Sequence, residues 1–453
     1  MKTQNLFNDF SSVSSKQWKQ KIQFDLKGAD YNSTLLTHTN EGVTIKPFYH
    51  SDDFEKINVP KNSEEFNICQ RIFISDEKTA NFLAIDALKR GANSILFIAD
   101  ELFDITIVLQ NIDVEIHFQL NFLSESFSLD LLNHAKNNPF FLNIDIIGNL
   151  VKTGNWHHTL NKDFDILSNI SKKTTDNCTA LQVNSSHYQN AGATTVQQVA
   201  YALAHGNEYL NVISRGSIAE QSAINFNFSV GSNYFFEIAK IRAFRYLWKT
   251  LCDDYSLKID AHIFVQPSIR NKTLYDYNTN MLRTTTECMS AILGGANTIS
   301  NVSYDEVYHK KNEFGERISR NQLLILKEES YFKNAQNFTD GTYYIESLTK
   351  EIAEKALEIF KDIEKSGGFL KQLKEGTIQR KIKESAEKEQ AQFDAGELVL
   401  LGSNKHPNMD DKMNDTIELY PFAKTKPRKT LIAPIVAKRL AEKLEQERLK
   451  DEA

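Results

Sequence analysis

No two of the four cysteines, Cys69, Cys178, Cys252 and Cys288, stand in a C-x-x-C pair. A disulfide framework and a cysteine-built zinc site are therefore not expected, and the spacing reads as reduced thiols in a cytoplasmic protein. No stretch approaches the ~20 apolar residues of a membrane span. The N-terminus, MKTQNLFNDFSSVSSKQW, is too polar for a secretory signal. Basic charge is not in excess either. With 59 acidic against 53 basic residues and a net charge of −6, nothing calls for nucleic acid as a partner. Gly294-Gly295 sits in no G-x-G-x-x-G or Walker pattern, so it reads as a helix stop and not as a phosphate cradle.

What the chain does have is 41% hydrophobic content over 453 residues, enough for one large barrel with extensions or for two to three smaller domains. Apolar runs that read as strands occur at Ser94–Phe97, Val114–Gln119, Phe141–Ile147, Ala180–Asn184, Ile224–Val230, His262–Val265 and Thr298–Val302, with Phe66–Phe73 as an eighth. Helical patterns lie between most of them, among them Glu77–Arg90, Thr195–Ala204 and Phe235–Leu251. Strands and helices alternating at this spacing predict parallel βαβ units, and about eight of them close a TIM-type (β/α)8 barrel.

The most ordered stretch runs from Arg283 to Ser330, RTTTECMSAILGGANTISNVSYDEVYHKKNEFGERISRNQLLILKEES. A helix over Arg283–Leu293 with Met289, Ile292 and Leu293 on its apolar face is stopped by Gly294-Gly295. A short strand and a second helix follow, the latter with Ile318, Leu323, Leu324 and Ile325 inside and Arg317, Arg320, Lys327 and Glu328 outside. This text resembles the barrel domain of the methylmalonyl-CoA mutase family. So do GSNYFFEIAKIRAFRYLW at Gly231–Trp248, GTYYIESLT at Gly341–Thr349 and IEKSGGF at Ile363–Phe369. The likeness covers roughly Trp18 to Asn404.

The resemblance implies an acyl-CoA mutase barrel that works with adenosylcobalamin, interconverting (R)-methylmalonyl-CoA and succinyl-CoA by radical chemistry. The chain departs from the family's pattern at the places that carry that chemistry. Catalytic chains have a P-F-x-R-G-x-Y loop after the N-terminal segment, whereas His50–Glu65 is HSDDFEKINVPKNSEE, without arginine or tyrosine. The cobalt-binding D-x-H-x-x-G motif survives only as Asp260-Ala261-His262, with Val265 in place of the glycine, so His262 reads as an interior strand histidine. VNSSHYQNAGA at Val183–Ala193 keeps the family's histidine and glutamine as His187 and Gln189, but Ser186 replaces its tyrosine and Asn190 its acidic residue. No catalytic, cofactor-binding or metal residue is expected on this chain, His187 and Gln189 being the only catalytic candidates. The resemblance then implies a small, non-catalytic chain paired as a heterodimer with a larger paralogous chain that carries the adenosylcobalamin and meets the acyl-CoA. The alternative is a catalytic barrel that borrows cobalamin from a separate chain, and a third reading is a stand-alone acyl-CoA-binding barrel.

Four regions follow: residues 1–65 as an N-terminal arm, 66–335 as the barrel, 336–405 as a helical extension packed on it, and 406–453 as a polar linker with a C-terminal amphipathic helix. The arm has Trp18, Phe24, Tyr31 and Phe48 as apolar anchors. The resemblance implies that it embraces the partner; a strap over its own barrel fits the residues equally. LIAPIVAKRLAEKLEQERLKDEA is expected to be one helix with a solvated charge-rich half, and Arg242 and Arg245 are expected to make ordinary helix ion pairs.

Overall fold

The computed structural model describes residues 9–61, 65–335, 337–424 and 427–452. Eight parallel strands close a barrel: β1 (Asn67–Phe73), β2 (Ser94–Ala99), β3 (Glu115–Leu120), β4 (Phe140–Ile144), β5 (Cys178–Asn184), β6 (Ala223–Val230), β7 (Asp260–Pro267) and β8 (Thr298–Ile299), with β8 returning to pair β1. Each run read as a strand contains one, though the strand in Phe141–Ile147 ends at Ile144, before the Ile146–Thr153 helix, and that in Thr298–Val302 at Ile299; the fold is a (β/α)8 barrel. Strand alternation decides what each face meets. Ile95 and Phe97 of β2, Ile116 and Phe118 of β3, and Phe226 and Phe228 of β6 join the main core under the surrounding helices. Cys69, Leu96, Ile98 and Phe264 face the other way and form their own cluster. Beside them the His117 ring stacks on Phe141 at 4.3 Å between centroids and meets Phe264 edge-on at 5.0 Å. The first contact joins neighbouring strands, but the second reaches from β3 to β7 across the barrel, so the axis is filled with side chains.

The Arg283–Ser330 stretch forms helix, strand and helix as expected, with three adjustments. Its first helix spans Thr279–Gly294, and only Gly295, at φ +89°, takes the left-handed conformation that ends it. The second helix, Glu313–Leu324, passes into a π turn over Ile325–Glu329. One residue inserted into the helical count rotates the register, so Ile325 is exposed and Leu326 takes the buried place. Arg320, expected outside, is buried and donates to Gln70 Oε1 at 2.8 Å.

The expectation of surface ion pairs on the Tyr234–Asp254 helix is also corrected. Arg242 is buried and reaches Glu346 at 2.8 Å and Asp340 at 2.5 Å, tying the barrel to the Tyr343–Lys365 helix. Arg245 donates to the carbonyls of Ala261 and Gly295 at 3.0 and 2.7 Å. Both arginines satisfy groups on other elements because the helix is buried along most of its length.

The C-terminal segment departs furthest from its reading. Helix forms only over Glu442–Glu452. Leu431–Arg439 is an irregular strap, since Pro434 can neither donate nor accommodate the preceding turn. The charge-rich half is solvated on one side, with Lys443, Glu447, Lys450 and Asp451 exposed, but Glu442 and Glu445 are buried. Glu445 accepts from Arg439 Nη1 at 3.0 Å and from the Leu274 amide at 2.8 Å.

At the other end, the Ser15–Asp25 helix buries none of its residues. It rests on the segment just before the barrel, Trp18 stacking on Phe48 at 4.7 Å and Ser15 bonding Asp52 and Asp53 at 2.9 and 2.7 Å. Phe24 is 78% exposed while Tyr31 is buried within the chain, so Tyr31 is not free to anchor a partner. Residues 1–8 of the expected arm lie outside the described residues.

Candidate functional site

In a parallel barrel the strand ends and the loops after them build the site at the C-terminal face. Two clefts lie there. The first, about 670 Å³, opens between the ends of β3, β4 and β5, and Gln119, Asn143, Lys152, Gln182 and His187 line it. Asp145, directly after β4, sets its floor. It caps the Ile146–Thr153 helix through the Gly148 amide at 2.7 Å and holds the end of β5 through the Asn184 amide at 2.7 Å. His205 Nε2 and Tyr209 Oη contact the same carboxylate at 2.9 and 2.8 Å, and His205 Nδ1 meets Tyr188 Oη at 2.9 Å. Burial pushes the Asp145 carboxyl up, but His205 and the converging hydrogen bonds outweigh it, leaving it below its usual range.

His187 sits in the short Ser186–Asn190 helix on the cleft wall. Burial, with Lys152 adding to it, lowers its pKa to about 4, so the imidazole is neutral near pH 7. The cleft therefore offers amides, an ammonium and a neutral imidazole to a polar group. The carboxylate that might have acted as base, Asp145, is already saturated with donors.

Gln189, two residues on, does not join His187. It turns into the floor of the second cleft, about 840 Å³, where Gln189, Glu237, Arg270 and Glu389 contribute to the lining. Its Nε2 donates to Glu237 Oε1 at 3.1 Å and its Oε1 accepts from Lys240 Nζ at 3.1 Å. Lys240 also reaches Gln198 Oε1 at 2.8 Å and the Ser229 carbonyl at 2.6 Å, and pairs with Glu237. Burial lowers the Lys240 pKa despite that partner. This closed network reads as structure. Glu237 and Lys240 are spaced to pair along one helix, but Gln189, Gln198 and Ser229 come from three other elements and escaped sequence reasoning.

The face is crossed by the chain's own C-terminus. The strap hydrogen-bonds Gly154 through the Leu431 amide at 2.9 Å, Val151 through Ile435 at 2.9 Å, Asn190 through Lys438 at 2.9 Å, and Arg270 through Leu440 at 2.9 Å. Two glycines are required by this cover. A Cβ on Gly154, at φ +80°, would lie 2.6 Å from the Ile432 carbonyl. One on Gly192, at φ +101°, would lie 2.5 Å from Ala386 of the Thr377–Asp394 helix. The Ala191-Gly192-Ala193 turn is thus a seat for the extension.

Residues 50–61 do not reach this face. Glu55 pairs with Lys350, the Ile57 amide donates to Glu346 at 3.2 Å, and Pro60 and Lys61 border a cavity at the opposite end with Asp260 and His262. Residues 62–64 of the segment expected to replace the family's arginine–tyrosine loop lie outside the described residues. His262 does not fit a cobalt ligand. It is an interior residue of β7 as expected, 3.2 Å from Thr298 Oγ1 and tilted against Phe141 at 4.4 Å, where no corrin ring could approach it.

A parallel barrel with polar clefts at its C-terminal rim has the architecture of a barrel enzyme. The family model for methylmalonyl-CoA mutase matches residues 140–451. The methylmalonyl-CoA mutase small subunit of Porphyromonas gingivalis is 31% identical over 92% of this chain and 73% of its own length. Methylmalonyl-CoA mutases of Cereibacter sphaeroides and Escherichia coli are 36% and 35% identical, over 50% and 53% of this chain. The match spans only 33% and 34% of the length of those two proteins. A dihydropteroate synthase of Coxiella burnetii superposes with a TM-score of 0.35 at 12% identity, over 66% of this chain and 99% of that one, too distant to carry an argument. The chain belongs to the methylmalonyl-CoA mutase family.

Proposed function

We propose that this chain is the small, non-catalytic subunit of a heterodimeric methylmalonyl-CoA mutase. The observation that carries the reading is the cover on the barrel mouth: strap and extension cross the face where a barrel of this type works, leaving two clefts beside them, and side chains fill the axis beneath. The larger partner would hold adenosylcobalamin and carry out the interconversion of (R)-methylmalonyl-CoA and succinyl-CoA. This chain would stabilise it through a pseudo-twofold contact of the kind that follows when a homodimer's halves diverge. Among the described residues no helix is long and apolar enough to cross a membrane. Co-purification tests the proposal: the chain drawn from its native host should bring a larger paralogue at equal stoichiometry, and mutase activity should need that paralogue.

A second reading, a catalytic barrel served by a separate cobalamin chain, is favoured by one observation. His187 is retained, neutral, on the wall of a cleft at the mouth. Turnover by this chain with an added cobalamin-binding chain, and no larger paralogue, would establish it in place of the first.

A further inference from the structure

Glu115 and His117 stand on β3 and His262 on β7, inside the barrel near its N-terminal end. One ligand-type atom from each lies within 4.8 Å of the others. Glu115 Oε1 is 2.9 Å from His117 Nε2 and 2.7 Å from Thr298 Oγ1, which is itself 3.2 Å from His262 Nε2. Asn67 Nδ2 donates to Glu115 Oε2 at 2.9 Å. Two features set the group apart from an ordinary core network. His117 is fully buried and its Nδ1 has no hydrogen-bond partner. The Glu115 carboxylate is 6% exposed, and among the described residues no lysine or arginine pairs with it. A buried carboxylate needs a countercharge, and here its recorded partners are an imidazole, a hydroxyl and the neutral Asn67 amide.

We propose that Glu115, His117 and His262 bind one zinc-class divalent cation inside the barrel. Two imidazoles and a carboxylate form a known zinc donor set that leaves a fourth position open. Bonds of about 2.0–2.2 Å in a tetrahedral site place ligand atoms roughly 3.4 Å apart, so the three side chains close on the ion by about an ångström or more at the widest gap. Thr298 Oγ1 or a water takes the fourth position. Asn67 holds Glu115 from behind, as an outer-shell partner does. His262 also borders the cavity of about 880 Å³ at the N-terminal end, with Arg245, Asp260 and Asn297, which gives the ion a path that avoids the covered mouth. The ion ties β3 to β7 across the axis. At this end of a barrel such a tie serves stability.

The full chain, produced in medium supplemented with zinc and separately with cobalt(II), is assayed for metal after gel filtration. About one metal per chain is expected, the cobalt form showing the intense visible ligand-field bands of a low-coordinate site. Glu115→Gln and His262→Ala should each lower the metal content at least tenfold. His309→Ala, at the separate cluster with Asp305 and Glu418, should leave it unchanged. Wild-type chain with less than a tenth of an equivalent of either metal overturns the proposal whatever the variants do. Full loading that survives both Glu115→Gln and His262→Ala overturns it too.

Discussion

The backbone amide of Lys438 donates to the carbonyl of Asn190 at 2.9 Å, fastening the C-terminal strap to the turn that follows His187. One residue further on, the buried Arg439 pairs with Glu445, so strap and terminal helix are locked together on the barrel face.

Removing one member of that pair should be costly, because the other is left charged and buried. Glu445→Ala is expected to lower the unfolding free energy by about 3 kcal/mol. It should also expose Leu431–Arg439 to protease. Replacing Arg439 by methionine together with Glu445→Ala should recover part of the loss. Urea denaturation of both variants, with limited proteolysis, checks this; a loss within the ~0.5 kcal/mol of a surface substitution would mean the pair does not hold the strap.

His187→Ala, assembled with the larger chain, should leave holoenzyme turnover within about threefold of wild type. A hydrogen-bond donor to a developing oxyanion typically contributes about 10²–10³-fold. Comparing kcat for mutant and wild-type heterodimers decides the matter, and a hundredfold loss with assembly intact would place His187 in the chemistry.

The contrast between His187 and Gln189 shows how far the sequence could be read. Their shared motif was visible, yet a short helix sends one side chain to one cleft and its neighbour into the Glu237–Lys240 network of another. The barrel was legible because each strand writes its burial into a local apolar run, and His262 was legible as interior for the same reason. Contacts across the barrel left no such trace. Nothing near His262 announces Glu115, and nothing in the helical spacing of Arg242 announces Glu346. The strap was misread because LIAPIVAKRL has helical spacing on either side of Pro434, while its carbonyl and amide partners lie on Gly154, Asn190 and Arg270.

Acid should find the same histidine. Its pKa falls to about 4 in the folded chain from an unfolded value near 6.5. The contribution is thus intact above pH 6.5 and lost as the pH falls toward 4, since the unfolded state takes up the proton first. At pH 5 the loss amounts to at most about 2 kcal/mol, reduced by solvent in the cleft. His187→Gln should therefore flatten the drop in stability between pH 7 and pH 5. Chemical denaturation of both proteins at the two pH values measures the difference, and parallel losses would show that the imidazole is not held neutral.

The N-terminal helix gives the sharpest test of assembly. Because no residue of Ser15–Asp25 is buried, the helix owes little to the barrel's stability. Its aromatic side chains are nevertheless large: Phe24 is 78% exposed, and Trp18, stacked on Phe48, is still 45% exposed. A monomeric arm gains nothing from holding the Phe24 ring and the outer face of Trp18 in water, whereas an arm that crosses to a partner would bury them there. Removing residues 1–25, which spares the buried Tyr31, should leave the thermal midpoint of the isolated chain within about 2 °C, since a loss under ~0.5 kcal/mol moves it no further. Losing two aromatic anchors at roughly 2 kcal/mol each should raise the dissociation constant for the larger chain about a thousandfold. Differential scanning calorimetry on the truncated chain and titration against the partner measure the two quantities independently. An unchanged dissociation constant alongside a large drop in midpoint would assign the helix to its own barrel and remove the crossing arm from the proposed heterodimer.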